Sequence, residues 1–147
     1  MNQPDPVRAR VLDALSLIAS GDRLAAVNPE LPPGRAAWLL CETWFDIVYQ
    51  PGTRYMDGLK GDHDPESAEA FLAHFGEDER RWLERFNRFL ELRVDRLTAG
   101  QRENRVFPPG ERWTNVMRDA GHMVDLLGGN PRESRILETA AQNLLHA

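Results

Sequence analysis

Apolar residues recur along the chain at intervals of three and four, the spacing of one face of an α-helix. In the first such segment Val7, Val11, Ala14, Leu15 and Ile18 share a face. A second, over residues 33–50, is apolar around more than half of its circumference, through Ala37, Trp38, Leu40, Cys41, Trp44, Phe45, Ile47, Val48 and Tyr49. Its narrow polar strip holds Arg35, Glu42, Thr43 and Asp46. A third helix, over residues 65–75, turns Ala68, Phe71, Leu72 and Phe75 to one side. A fourth, over 78–97, does so with Trp82, Leu83, Phe86, Phe89, Leu90, Val94 and Leu97. A fifth, over 111–127, carries Trp113, Val116, Met117, Ala120, Met123, Val124 and Leu127. A last one, over 131–146, carries Ile136, Leu137, Ala140, Ala141, Leu144 and Leu145. No segment keeps a period of two. The pattern predicts an all-α, single-domain irregular bundle of about six helices over residues 1–147, with no sheet and with the second and fourth helices as the central pair.

The punctuation agrees with this spacing. Asp5-Pro6, Asp64-Pro65 and Asn130-Pro131 each place a capping side chain before a proline suited to the first helical position. Gly21, Gly76, Gly100 and Gly128-Gly129 follow periodic segments and are predicted to end them. Glu77, Asp78 and Glu79 open the fourth helix, where the helix dipole favours acids, and Glu77 with Arg81 and Glu84 with Arg88 are spaced to pair along it. Two connections are long, over residues 51–64 and 101–110.

Composition narrows the function classes. A chain of 147 residues can bury a core without a metal or a disulfide, and Cys41, the single cysteine, has no partner for one. No run approaches the roughly 20 apolar residues of a membrane span, so a cytoplasmic protein without membrane contact is expected. The net charge of −5 disfavours nucleic acid as a partner. Lys60 is the one lysine, and a GC-rich genome accounts for such a bias towards arginine without any phosphate recognition.

Candidate chemistry is sparse. The 51–64 connection carries Arg54, Tyr55, Asp57, Asp62, His63 and Asp64. The last three have oxygen and imidazole donors suited to a divalent cation, although Asp64 is already accounted for as a helix cap. HD-type metal phosphohydrolases need a further histidine upstream of such a His-Asp pair, and none precedes His63. His74, His122 and His146 fall outside the apolar stripes, and no catalytic or cofactor motif is present, so no cofactor is expected. Cys41 lies on an apolar face, which suits packing and not nucleophilic chemistry.

Arg93 is the most informative residue. It falls within the apolar stripe of the fourth helix, where an unpaired guanidinium is costly. Glu42 and Asp46 are its expected partners; the other reading is an anion pocket in which Arg93 grips a carboxylate or phosphate. Together with Arg54, Tyr55 and Asp57 these residues make the expected ligand-binding set. Arg81, Arg85, Arg88 and Arg96 form a stripe beside Trp82 and Phe89, with Glu84, Glu91 and Asp95 alongside.

These features point first to a non-catalytic interaction or regulatory protein that binds a protein partner or itself. The alternatives are a small metal-dependent hydrolase of phosphorylated or nucleotide substrates, using Glu66 and Glu69 or Glu91 and Asp95, and a carrier of a small apolar ligand.

Overall fold

The computed structural model describes residues 5–21, 30–31, 33–49, 51 and 65–128. Every element among them is helical and none is a strand. The α-helices are α1 (Pro6–Ala19), α2 (Pro33–Thr43), α3 (Pro65–Leu72), α4 (Glu77–Asp95), α5 (Ala99–Glu103) and α6 (Glu111–Leu126), and a π-helical stretch, Trp44–Val48, continues α2. The helix expected over 131–146, and the caps expected at Asp64 and Asn130, lie outside the described residues. No helix among the described residues is long and apolar enough to cross a membrane.

Local sequence sets where these helices start. The Asp5 carboxylate accepts from the amides of Val7 (2.9 Å) and Arg8 (3.3 Å), and Pro6 takes the first helical position of α1. Gly76 does not end α3 as expected. It precedes α4, with φ −70°, and its amide donates to Glu79 Oε1 at 2.9 Å. Gly100 lies inside α5 and not at a helix end, whereas Gly21 directly follows Ser20, the cap of α1. Gly128, at φ +78°, does follow α6 in the left-handed conformation of a terminal cap. Arg81 pairs with Asp78 and not with Glu77.

Part of the 101–110 connection is helical. Thr98 Oγ1 accepts from the Gln101 amide (3.1 Å) while Gln101 Oε1 accepts from the Thr98 amide (2.9 Å), so α5 begins with a reciprocal cap. The chain then delivers Phe107 to the core, where its ring lies 5.1 Å from that of Trp113. The Phe107 amide donates to Gly34 O at 2.9 Å, which brings the two backbones together. A Cβ at Gly34 would stand 2.5 Å from Val106 Cγ1 and 3.1 Å from Phe107 O, so only glycine allows this approach.

The most extensive packing joins α1 to α6, and α4 packs on α6 in turn. The expected central pairing of the second and fourth helices is therefore replaced. Those two meet through Trp44, which is fully enclosed and lies edge-on to Phe86 at 5.1 Å. Val11, Leu15 and Ile18 of α1, Leu83 and Leu90 of α4, and Val116 and Ala120 of α6 fill the rest of the same core.

One polar side chain ties four chain segments at the core's edge. Arg8 of α1 makes a two-pronged ion pair with Glu79 at the start of α4, Nη1 to Oε1 at 2.7 Å and Nη2 to Oε2 at 2.8 Å. It also donates to His74 O (3.1 Å) in the α3–α4 turn and to Leu127 O (3.4 Å) at the end of α6, and its guanidinium lies over the Phe75 ring. Arg8 hydrogen bonds, together with the Gly76 amide, hold the Glu79 carboxyl below its ordinary range, while Glu79 pushes the Arg8 pKa up.

The planar fork of arginine is what lets one residue serve three acceptors, and lysine cannot copy it. Arg8→Lys and Arg8→Ala are expected to lower unfolding stability in urea by about 1–2 kcal/mol, a figure discounted for the partial exposure of the pair. Because the Glu79 pKa is depressed in the folded chain, its contribution is complete above the unfolded value of about 4.3 and is lost as the pH falls below it. Glu79→Gln should therefore be less stable than the wild type at pH 7 and should lose less stability between about pH 5 and pH 2.

Candidate functional site

The π-helical stretch decides which residues of the second segment face inward. The Thr43 hydroxyl donates back to Leu39 O at 2.8 Å, a bond that bends helices, and the Tyr49 amide bonds Trp44 O at 2.9 Å across five residues. The wider turn rotates the side chains after it relative to a 3.6-residue helix. Ile47, expected on the buried face, is 41% exposed, and Asp46, expected on the polar strip, is only 5% exposed.

Asp46 is thus buried, as are Asn87 and Glu91 of α4. Trp44 Nε1 donates to Asn87 Oδ1 at 3.1 Å, and the Trp44 ring stacks on Tyr49 at 5.5 Å. Burial first, and then the charges of Glu84 and Glu91, push the Tyr49 hydroxyl up to about 12. Asp46 and Glu91 are each engaged by a partner. No group of three or more His, Cys, Asp or Glu side chains among the described residues is placed to hold a metal ion. Arg54, Tyr55, Asp57, Asp62, His63 and Asp64 lie outside the described residues.

Ion pairs join Arg8 to Glu79, His74 to Asp5 and Arg81 to Asp78, and Glu42, one of the two acids expected to meet Arg93, accepts from Trp38 Nε1 at 2.9 Å. The Arg93 guanidinium lies over the Phe89 ring, 4.7 Å from its centroid, and its buried Nε has no hydrogen-bond partner. The stacking accounts for a cation at the edge of the core.

Phe89 leads to a polar cleft. It lines a shallow opening of about 380 Å³ with Asn115, Arg118, Asp119 and His122 of α6. Arg112 of α6 reaches Arg96 O at 3.5 Å, and Arg8 links the start of α4 to the end of α6, so α4 and α6 run antiparallel on either side of the cleft. Arg118 is oriented by a bond to Asn115 Oδ1 at 2.5 Å. Burial pushes the Asp119 carboxyl up, against the opposing pull of His122, Arg85 and Arg118.

The outer strip of α4 completes this face. Arg85, Phe89, Leu92 and Arg96 are spaced at four, three and four residues, which places them in one row, with Arg93 beside it. Leu92 is 45% exposed and lies in this row between Phe89 and Arg96. Glu91, which in sequence looks as if it neutralises this row, points inward.

Sequence reasoning singled out Arg93 and the arginine row but missed Asn115, Arg118, Asp119 and His122, because a cleft between helices distant in sequence leaves no periodic mark. A second cleft, of about 220 Å³, lies between α1 and α3 and is lined by Val7, Val48, Ala70 and Phe71 with Arg10 and His74 nearby. His74 Nδ1 stands 2.6 Å from Asp5 Oδ2, and that hydrogen bond is the main cause of a lowered Asp5 pKa. Cys41 is buried in the core, and burial pushes its thiol pKa well up, which suits packing.

No family model, curated protein or solved structure matches this chain.

If Arg93 contributed a structural ion pair, removing its charge would cost roughly 3–5 kcal/mol. The stacked, unbonded geometry predicts far less. Arg93→Met keeps the stem over Phe89 and deletes the unbonded Nε, so urea unfolding should shift by no more than about 1 kcal/mol in either direction. Trp44→Phe leaves the Asn87 acceptor buried without its donor and should cost about 1–3 kcal/mol in the same assay.

Proposed function

We propose that this protein is a non-catalytic interaction or regulatory protein whose docking surface is the face formed by α4 and α6. The observation that carries this reading is the exposed Leu92 beside the half-buried Phe89, set among arginines, with Arg93 stacked on Phe89 at the cleft that Phe89 lines. Arginine and aromatic side chains dominate binding energy at interfaces because they combine large contact area with directional hydrogen bonds. Phe89 is already held in place by the Arg93 guanidinium, so a partner that covers it loses little side-chain entropy on binding. The clamps at either end of the α4–α6 pair keep the two walls of the cleft in register, which favours a docking surface on a rigid scaffold.

A photo-crosslinking amino acid placed at Leu92 or His122 tests this. In cells that produce the full chain, both positions should give a discrete protein adduct, and positions on the outer side of α3, such as Glu66, should give none. Light scattering on the purified chain separates self-association from a different partner. Absence of any adduct at Leu92 and His122, in a protein that remains monomeric at high concentration, would contradict the proposal.

A further inference from the structure

Resting on that docking surface, we infer that its partner is an acidic amphipathic segment of another protein, whose apolar residues seat on Phe89 and Leu92 and whose carboxylates meet the surrounding arginines. The charge distribution carries the inference. The chain bears a net charge of −5, yet this face sets Arg85, Arg93 and Arg96 of α4 and Arg118 of α6 against Glu84 and Asp95 of α4 and Asp119 in the cleft. A local excess of positive charge on a chain of net negative charge favours an acidic partner by charge complementarity.

The chemistry of the face distinguishes between anionic partners. Arginine forks bind carboxylates and phosphates alike. However, Asp119 stands in the cleft itself, and Glu84 is exposed on α4 beside the row. A nucleic-acid strand carries a charge at every nucleotide and would run against both acids. A peptide places its charges selectively, can donate a hydrogen bond to Asp119, and can lay leucine or phenylalanine on the Phe89–Leu92 pair. Free phosphate or a small carboxylate would leave that apolar pair unused. The row from Arg85 to Arg96 covers about 16 Å at 1.5 Å per residue, so an amphipathic helix of about three turns spans it.

The test is fluorescence anisotropy of the full chain with four labelled probes. These are an acidic amphipathic peptide of about 14 residues, its sequence-scrambled form, its lysine-substituted form, and a single-stranded oligonucleotide of similar length. The acidic amphipathic peptide should bind, weaken with added salt, and lose at least about tenfold in affinity on R93E/R118E. The lysine peptide should gain affinity on that same variant. R96E, an exposed change on the same row, repeats the test should R93E disturb folding.

Equal binding of the scrambled peptide, tighter binding of the oligonucleotide, or no binding of the acidic peptide would overturn the partner class. If crosslinks still form at Leu92 in any of these cases, the docking surface stands and only its partner was misassigned. If neither crosslinks nor peptide binding are seen, both fail.

Discussion

The grip of Arg8 on Glu79 is the contact that sets the frame. It fixes the first turn of α4 against α1 while the same guanidinium reaches the carbonyls of His74 and Leu127. The α3–α4 turn, the start of α4 and the end of α6 are thereby held to one side chain. Glu79 serves twice, since it also closes the cap at Gly76. At the far end, Phe107 packs on Trp113 and Arg112 reaches Arg96 O, which anchors the beginning of α6. With both ends held, the line along which α4 and α6 meet is determined, and the cleft between Phe89 and His122 follows from it.

The π-helical stretch makes a second division, between what is closed and what is open. It turns Asp46 inward and Ile47 outward, so a carboxylate is buried where a 3.6-residue helix would expose it. Asp46 has a partner, Trp44 stacks on Tyr49, and Trp44 Nε1 donates to the buried Asn87. The consequence for α4 is an asymmetry: the helix directs Glu91 into the fold and leaves Leu92 and the arginine row outside. The sign of its outer surface is thus a product of how α4 packs as well as of its composition.

Fold class and most helix positions were legible in the sequence because both rest on local rules. The Asp5-Pro6 start, the acidic opening of α4 and the apolar stripe of α6 all appear where spacing places them. The reversal at Asp46 and Ile47 was not legible, since periodicity assumes 3.6 residues per turn and a π turn breaks that assumption without changing composition. Gly76 misled for another reason, as glycine serves at either end of a helix. Thr98 and Gln101 did carry a readable signal for α5, the capping-box spacing, which the two prolines of the following connection obscured. Arg93 stood out correctly as an anomaly within an apolar stripe. Which helices meet is a tertiary fact, and α4 packs on α6 where the second segment was expected. The residues facing it across the cleft belong to a helix that begins 18 positions later, and only the fold brings them together.

The central claim is that the α4–α6 face, and Arg93 within it, is built to be covered by an acidic protein segment. The most direct measurement is nuclear magnetic resonance of the isotope-labelled full chain as an acidic amphipathic peptide is added, following the arginine Nε–Hε signals and the backbone amides. The account predicts that the Arg93 side-chain signal and the amides of Phe89, Leu92 and Arg118 shift together and saturably, while the Arg8 side-chain signal stays in place. Shifts centred on the α1–α3 cleft, or a peptide that leaves Arg93 and Phe89 unmoved, would contradict it.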